Sequence, residues 1–217
     1  MLVTSKPDTK RFPHKKTIVV QGGVDLSPLK NYQPIPVNQR HYDACFIGRL
    51  HPQKGVLQLV DIWSLVVSQK PNSRLAIIGN GDLKNDLSRK IKNMKLQKNI
   101  TTLGFLEGQK KYEIFQNSKM VLHPAIFDSG GMAAAEAMAW GLPAISFNLP
   151  ALKTYYPQGM IKTPCFDHAQ FAKNICRLLN DKKLYQATSL KASKLIIDKW
   201  NWNKKASEIF NTIFLNQ

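Results

Sequence analysis

Residues 123–139 form the most informative segment of the chain and read HPAIFDSGGMAAAEAMA. A strand-like apolar run, Met120–Leu122, leads into a loop of small residues that opens into an alanine-rich stretch. Because alanine has the highest helix propensity, this stretch predicts a helix over Gly131–Trp140. Gly130 and Gly131 carry no side chain, so a ligand can approach the backbone and the free N–H groups at the start of the helix.

A phosphate is the ligand that suits the first turn of such a helix. Asp128 lies in the loop beside that turn, and Glu136 lies about one and a half turns into the helix. The two carboxylates can therefore contact two parts of one elongated polar ligand, and a nucleotide-activated sugar has that shape. The alternative is that the acidic residues only complement the dipole at the start of the helix.

The composition indicates a globular protein with a strongly basic surface. The chain has 217 residues, 43% of them hydrophobic, enough for one large domain or two small ones. Its 31 Lys and Arg against 14 Asp and Glu give a net charge of +17. This excess favours anionic partners: phosphorylated substrates, an anionic membrane surface or nucleic acid. A solvated, soluble surface explains most of the lysines equally well.

The sequence argues against several classes of protein. No apolar run approaches the roughly 18 residues of a membrane span, and the first residues lack the apolar core of a signal peptide. We therefore expect a cytoplasmic protein, and peripheral binding to the inner membrane face is compatible with that location. Three cysteines without CxxC spacing predict neither a disulfide framework nor a zinc site. No helix-turn-helix, zinc or RNP pattern is present, so we expect no nucleic-acid partner.

Short apolar runs alternate with longer helical patterns. Strands are predicted at Thr17–Val20, Ala44–Ile47, Arg74–Ile78, Ile100–Phe105, Lys119–Leu122, Ala144–Phe147 and Met160–Lys162. Helices are predicted at Val56–Gln69, Leu83–Met94, Gln109–Gln116, Gly131–Trp140, Ala169–Leu179, Lys183–Asp198 and Lys204–Leu215. This alternation predicts an α/β fold, a Rossmann-like doubly wound parallel sheet of about six strands with helices on both faces.

Glycine motifs follow several of the predicted strands, at the edge where parallel sheets bind ligands. Gly48 ends the strand Ala44–Ile47 and is followed by Arg49 and Lys54, whose charges suit the two negative charges of a diphosphate. Taken singly, the two cations are more often ordinary loop residues. Their place on the same sheet edge as the anion-accepting helix start favours the phosphate role.

Other motifs at this edge are less specific. Gly79-Asn80-Gly81 is explained equally well by a tight turn, with Asp82 as a helix cap. At Gly104-Phe105-Leu106 a flat nucleobase can rest against exposed backbone, or the glycine can simply pack in the core. His123 is structural or a minor candidate for the site, since it directly precedes the Asp128 loop.

In order and spacing, these motifs resemble the C-terminal half of the retaining GT-B glycosyltransferases of group 1. The resemblance covers roughly residues 18–215 and rests on Gly48–Gly55, on Ile78–Gly81 and, most specifically, on Asp128–Pro143. It implies one half of a GT-B fold and an enzyme of the hexosyltransferase type. The donor would be a nucleoside-diphosphate sugar, and transfer to the acceptor would retain the anomeric configuration.

The resemblance also implies a role for each matching residue. Arg49 and Lys54 would neutralise the donor diphosphate and Asp128 would contact the donor sugar, so these three are the catalytic candidates. Glu136 would bond the ribose hydroxyls. The remaining donor-binding residues would cradle the base or hold the sugar and the distal phosphate, and they are Gly48, Gly104, Phe105, Leu106, Ser129, Gly130, Gly131 and Met132. Without a DxD-type metal motif, the resemblance implies metal-independent transfer with no cofactor.

The chain departs from the family pattern at three places. Asp128 replaces the usual glutamate, Gly130 stands where an aromatic residue is common, and Asn148–Ala151 replaces the usual glycine-rich loop and acid. The acceptor-binding N-terminal domain of the family is missing, so we expect the isolated chain to be incomplete. That domain, or a separately encoded half, is an expected partner, and an anionic membrane surface is another.

We predict three parts of the chain: an N-terminal segment and linker (1–43), a nucleotide-sugar-binding Rossmann-like domain (44–180), and C-terminal helices (181–217). The helices would pack on the domain or on the missing partner. The alternative function is a non-catalytic nucleotide-binding or partner-docking module derived from such an enzyme. The aspartate at position 128 and the missing half favour that alternative, whereas the cations Arg49 and Lys54 disfavour it.

Overall fold

The computed structural model describes residues 2–3, 18–19, 22–30 and 32–215. A six-stranded parallel sheet contains β3 (Ala44–Ile47), β4 (Leu75–Ile78), β5 (Ile100–Gly104), β6 (Val121–His123), β7 (Ala144–Phe147) and β8 (Met160–Thr163). A separate parallel pair joins β1 (Leu2–Val3) to β2 (Ile18–Val19). The strand predicted at Thr17–Val20 is thus present at its centre, and its two end residues lie outside the described part.

Helices connect the strands of the main sheet. They are α1 (Val56–Gln69), α2 (Lys84–Asn93), α3 (Gly108–Gln116), α4 (Met132–Ala139), α5 (Pro150–Tyr155), α6 (His168–Asn180), α7 (Lys182–Lys199) and α8 (Trp202–Phe210). Helix α5 was not predicted, because six residues are too few to show a helical period. The last predicted helix is also corrected: α8 ends at Phe210 and one π-helical turn, Asn211–Leu215, follows it.

The strand order fixes where a ligand can bind. The order across the sheet is β5-β4-β3-β6-β7-β8, so β3 and β6 are neighbours although two strands separate them in the sequence. The chain winds outward in opposite directions from this pair, which confirms the predicted doubly wound, Rossmann-like parallel sheet. In such sheets ligands bind beyond the carboxyl ends of the strands at the point where the direction reverses.

Helices cover both faces of the sheet and bury one hydrophobic core on each. On one face α1, α2 and α6 pack around residues such as Trp63 and Phe171, which are fully buried. On the other face α3, α4, α5 and α7 surround a second core that contains Trp200. Burying a large apolar side chain contributes about 1.5–3 kcal/mol, so these two cores hold the sheet edge in place.

Close backbone contact joins the loops that follow β3 and β4. Gly79 has a φ of +150°, and a Cβ atom there would lie 1.9 Å from the carbonyl oxygen of Gly48. The glycine is therefore required by packing between two loops at the ligand edge. The helix cap predicted at Asp82 is wrong: α2 begins at Lys84, and its N-cap residue Leu83 makes no side-chain capping bond.

The predicted linker and the C-terminal segment lie side by side. The N–H of Val24 donates to the carbonyl oxygen of Trp200 at 2.6 Å, and the N–H of Trp202 donates to the carbonyl oxygen of Val24 at 3.0 Å. Trp200 is buried, whereas the side chain of Trp202 is half-exposed. The two segments therefore meet beside the core on the α4 side of the sheet.

Candidate functional site

The loops after β3 and β6 meet at the point where the winding direction reverses. The first loop contains a short 3-10 turn, Pro52–Lys54, that ends at Gly55 with a φ of +66°. A Cβ atom on Gly55 would lie 1.9 Å from the carbonyl oxygen of Pro124, so only glycine lets the loops approach this closely. The N–H of Ile126 donates to the carbonyl oxygen of Gln53 at 2.9 Å and joins the two loops further.

An ion pair crosses this junction. The Nζ of Lys54 lies 2.5 Å from Oδ2 of Asp128, and the Nε2 of His123 lies 3.1 Å from the same oxygen. The other oxygen, Oδ1, accepts the N–H groups of Gly130 at 2.9 Å and Gly131 at 2.7 Å. Only 7% of the Asp128 side chain is exposed. A ligand that contacts this carboxylate must therefore share or replace one of its protein partners.

These partners keep Asp128 ionised. Burial alone would raise the pKa of the carboxyl group. The imidazole of His123 beside the carboxylate, followed by the hydrogen bonds from Lys54 and Gly130, instead holds the pKa of Asp128 well below its usual range. Asp128 is therefore a carboxylate at neutral pH, and it is suited to accept hydrogen bonds from a ligand and not to donate a proton.

The hydroxyl of Tyr156 contacts the glycine turn that follows Asp128. The hydroxyl of Tyr156 lies 2.7 Å from the carbonyl oxygen of Gly130 and 2.9 Å from that of Gly131. Gly131 has a φ of +64°, and a Cβ atom there would lie 2.9 Å from Leu152 and 3.2 Å from the Tyr156 ring. Sequence reasoning missed Tyr156, because nothing in the pattern around it signals a contact with a turn 25 residues earlier.

The first turn of α4 presents free hydrogen-bond donors. Gly131 is the N-cap residue, and no side chain caps the helix. In the part of the chain that the structure describes, the N–H groups of Met132, Ala133 and Ala134 have no hydrogen-bond partner. Ala135 is the first residue to donate, to the carbonyl oxygen of Gly131 at 3.1 Å. Free N–H groups at the positive end of a helix are a binding site for an anion.

Glu136 lies on the solvent side of α4 and pairs with a residue of α3. Its Oε2 lies 2.7 Å from the Nζ of Lys111, and 36% of its side chain is exposed. Lys111 also lies over the ring of Tyr112, 5.4 Å from its centre. Sequence reasoning missed Lys111, because two adjacent lysines at a helix start look like an ordinary solvated surface.

The residues predicted for the nucleobase lie at the end of β5, just before α3. Gly104 has a φ of +71°, and no atom lies within 4 Å of the position that its Cβ would take. Its carbonyl oxygen accepts the N–H of Gly79 at 2.8 Å. The side chain of Phe105 is 70% exposed, while Leu106 packs at the edge of the core. Open backbone beside an exposed aromatic ring suits a flat ligand.

The predicted cations have different surroundings. Lys54 lies over Gly48, where a Cβ atom would be 3.9 Å from its Cγ, and it is paired with Asp128. Arg49 is exposed and, among the described residues, has no ion-pair partner. The side chains of Ser129 and Met132 are exposed. Arg49 is thus the cation that is available to a ligand without breaking an ion pair.

The described residues contain no group of three or more His, Cys, Asp and Glu side chains that could hold a metal ion. No helix among them is long and apolar enough to cross a membrane. Metal-independent chemistry and peripheral membrane binding stay predictions.

Three known proteins illustrate what the chain is similar to. An uncharacterised glycosyltransferase of Methanocaldococcus jannaschii is 25% identical over 169 residues, which are 76% of this chain and 43% of that relative. TarM of S. aureus, solved with UDP and other ligands, superposes with a TM-score of 0.81 at 18% identity, covering 97% of this chain and 43% of TarM. HepE of Anabaena, solved with UDP-glucose, gives a TM-score of 0.79 at 17% identity, covering 98% of this chain and 62% of HepE.

These comparisons agree in fold and in extent. The chain spans less than half the length of the archaeal relative and of TarM. Residues 30–195 match the family described as Glycosyl transferases group 1, which is most of the chain. The chain therefore belongs to the group 1 glycosyltransferase family, as a domain of the C-terminal GT-B type.

Proposed function

We propose that this chain is the donor-binding half of a retaining glycosyltransferase that moves a hexose from a nucleoside-diphosphate sugar to an acceptor. The observation that carries the proposal is a convergence of groups where β3 and β6 end. Lys54 comes from one loop, and Asp128 and the free N–H groups of α4 come from the other. These elements provide positive charge, an ionised carboxylate and anion-binding donors within one crevice.

Each part of an extended donor has a matching group along this edge. The free donors of α4 and the cations Arg49 and Lys54 suit the diphosphate, and the carboxylate of Glu136 suits the ribose hydroxyls. The exposed ring of Phe105 suits the base. Two structural neighbours are complexes with UDP or UDP-glucose, which supports UDP as the nucleotide of the donor.

The chemistry that these groups support is departure of the diphosphate. The bond from the anomeric carbon to the distal phosphate breaks, and the electron pair goes to the diphosphate. The acceptor oxygen forms its bond on the same face of the sugar, and its proton goes to the departing diphosphate. Arg49, Lys54 and the start of α4 stabilise the charge that develops, without a metal ion or cofactor. Each charge-assisted hydrogen bond of this kind contributes about 1.5–3 kcal/mol.

A non-catalytic nucleotide-binding or docking module is the second candidate. It is favoured by the engagement of both acids with lysines of the protein: Asp128 with Lys54, and Glu136 with Lys111. In such a module these ion pairs would be structural, and no sugar would need to displace them.

We propose two partners besides the donor. An acceptor-binding half would cover α8, which buries none of its residues and leaves Trp202 and Phe210 about half-exposed. An anionic membrane surface at the inner face of the membrane would contact α7, where exposed Leu190 and Ile197 lie among lysines. Sedimentation with anionic and neutral vesicles tests the second partner, and equal binding to both would contradict it.

Calorimetry with UDP, GDP and ADP tests the proposed donor site. We expect Arg49→Ala to weaken binding of the preferred nucleotide roughly tenfold, because one charge-assisted contact is lost. Arg89→Ala is the matched control, since Arg89 is an exposed arginine of α2 that pairs with Asp86. It removes the same net charge away from the site and should leave the affinity unchanged. Equal losses of affinity in the two variants would mean that Arg49 acts only through the net charge of the chain.

A further inference from the structure

Tyr156 lies directly under the glycine turn and takes no part in the donor contacts proposed above. Its side chain is fully buried, and its ring stacks on Trp200 with centres 5.2 Å apart and planes inclined by 19°. Its hydroxyl reaches the carbonyl oxygens of both Gly130 and Gly131. We propose that Tyr156 is a positioning residue that orients the peptide groups through which the turn binds the donor diphosphate. This inference rests on the proposed function.

The geometry of the first peptide group shows how the hydroxyl acts. A planar trans peptide directs its C=O and its N–H in opposite directions. In the peptide that joins Gly130 to Gly131, Tyr156 binds the carbonyl oxygen, and Oδ1 of Asp128 accepts the N–H at 2.7 Å. This peptide is therefore clamped between a buried hydroxyl on one side and a carboxylate on the other.

The next peptide group is clamped at one end only. Its carbonyl oxygen, that of Gly131, lies near the Tyr156 hydroxyl and also accepts the N–H of Ala135. Its N–H belongs to Met132, points away from Tyr156, and has no partner in the described part of the chain. Tyr156 thus fixes the orientation of the first free donor of α4.

A hydroxyl is needed here because the turn is made of glycines. Glycine visits both signs of φ at little cost, so an unsupported Gly130-Gly131 turn can rotate its peptide groups. Rotation of the Gly131–Met132 peptide would present a carbonyl oxygen to the phosphate and not an N–H. Burial, followed by the charge of Asp128, raises the pKa of Tyr156 well above its usual value, so the hydroxyl keeps its proton.

The test compares a nucleotide with its nucleoside, measured by calorimetry on Tyr156→Phe and on the unaltered chain. The variant keeps the ring on Trp200 and removes only the hydroxyl. We expect its dissociation constant for UDP to rise about fivefold, the effect of one lost hydrogen bond, while that for uridine stays unchanged. A merely structural role would weaken both ligands together.

Tyr185→Phe is the matched control. Tyr185 is also a buried tyrosine whose hydroxyl donates to a backbone carbonyl, that of Lys119 at 2.6 Å. Lys119 precedes β6, so this bond lies at the amino end of the sheet, away from the turn. Removal of this hydroxyl should leave the affinities for UDP and uridine unchanged.

The outcomes separate this inference from the proposed function. If the unaltered chain prefers none of UDP, GDP and ADP over the matching nucleoside, the proposed function fails and the inference with it. If the unaltered chain prefers one nucleotide, that nucleotide and its nucleoside replace UDP and uridine in the test. An unchanged preference for this nucleotide in Tyr156→Phe then overturns the inference but not the proposed function. If Tyr156→Phe does not fold, amide NMR of the unaltered chain decides. The nucleotide must shift the Met132 resonance and the nucleoside must not, and equal responses overturn the inference.

Discussion

At the scale of single residues, Asp128 is the most constrained group of the site. Its two oxygens have four partners, Lys54, His123 and the N–H groups of Gly130 and Gly131. The shorter aspartate, in place of the glutamate usual in the family, reaches back to its own turn. The carboxylate therefore shapes the glycine turn as well as facing the crevice.

The depressed pKa of Asp128 predicts how stability depends on pH. Since the pKa is lower in the folded chain, the stability that Asp128 contributes is complete above its unfolded pKa of about 3.9 and is lost as the pH falls further. We expect urea unfolding to show Asp128→Asn less stable by about 2 kcal/mol at neutral pH. The difference should shrink as the pH falls below about 4, and a constant difference in that range would contradict the prediction.

The two acids are expected to have different roles in donor binding. Glu136, as the ribose contact, should matter to both UDP and UDP-hexose, whereas Asp128 should matter chiefly when the sugar is present. Calorimetry on Glu136→Gln and Asp128→Asn with both ligands measures this difference. We expect Glu136→Gln to weaken both roughly tenfold. Asp128→Asn should weaken the UDP-hexose much more than UDP, which it affects only through the glycine turn. If Asp128→Asn weakens UDP as much as Glu136→Gln does, the assigned roles are wrong.

At the scale of elements, the site depends on how closely the loops after β3 and β6 approach. No side chain mediates the contact at Gly55, where the backbone of one loop lies against the Pro124 carbonyl of the other. The Lys54–Asp128 pair follows from this contact, since each residue lies in one of the two loops. Small changes at the junction should therefore disturb both the fold and the site.

Alanine at Gly55 should be more harmful than alanine at another glycine with positive φ. Gly108 is the control: its φ is +53°, and no atom lies within 4 Å of its Cβ position. We expect Gly108→Ala to cost about 1–2 kcal/mol of unfolding free energy, the left-handed strain alone. Gly55→Ala should cost more and should also weaken UDP binding. Thermal and urea unfolding measure this difference. Equal losses of unfolding free energy in the two variants would mean that the loops separate easily.

At the scale of the whole molecule, the proposed function makes this chain one wall of a crevice. It covers less than half of TarM and of the archaeal relative. All the residues that we assign to the site bind the sugar donor, and none binds the acceptor. Transfer also needs an acceptor held in line with the donor. In intramolecular reactions such positioning is worth about 7–11 kcal/mol, and donor-binding groups alone do not supply it.

We therefore expect the purified chain to bind donor but not to transfer sugar efficiently. Slow hydrolysis of the donor should remain, because Arg49 and Lys54 still stabilise the leaving diphosphate. The measurement is turnover of labelled UDP-hexose with a broad set of acceptors, with and without anionic vesicles and with a candidate N-terminal half. Robust transfer by the chain alone would overturn the half-enzyme proposal.

The sequence by itself determined the alternation of strands and helices, the parallel sheet and the glycine-rich motif that begins at Asp128. These follow from local periodicity and from glycine and alanine propensities, which act within one segment. Every predicted strand of the main sheet is present within two residues of its predicted ends. The short helix α5 was not predicted, because its stability comes from tertiary packing, including the fully buried side chain of Leu152.

Only the tertiary structure decided which groups of the site meet. The Lys54–Asp128 pair joins residues 74 positions apart, and the bond from Tyr156 to Gly131 joins residues 25 apart. No local pattern encodes such contacts, because they depend on strand order and on the distance at which two loops pack. The sequence therefore placed the candidate residues at one sheet edge, and the fold decided which of them are paired and which, like Arg49, are exposed.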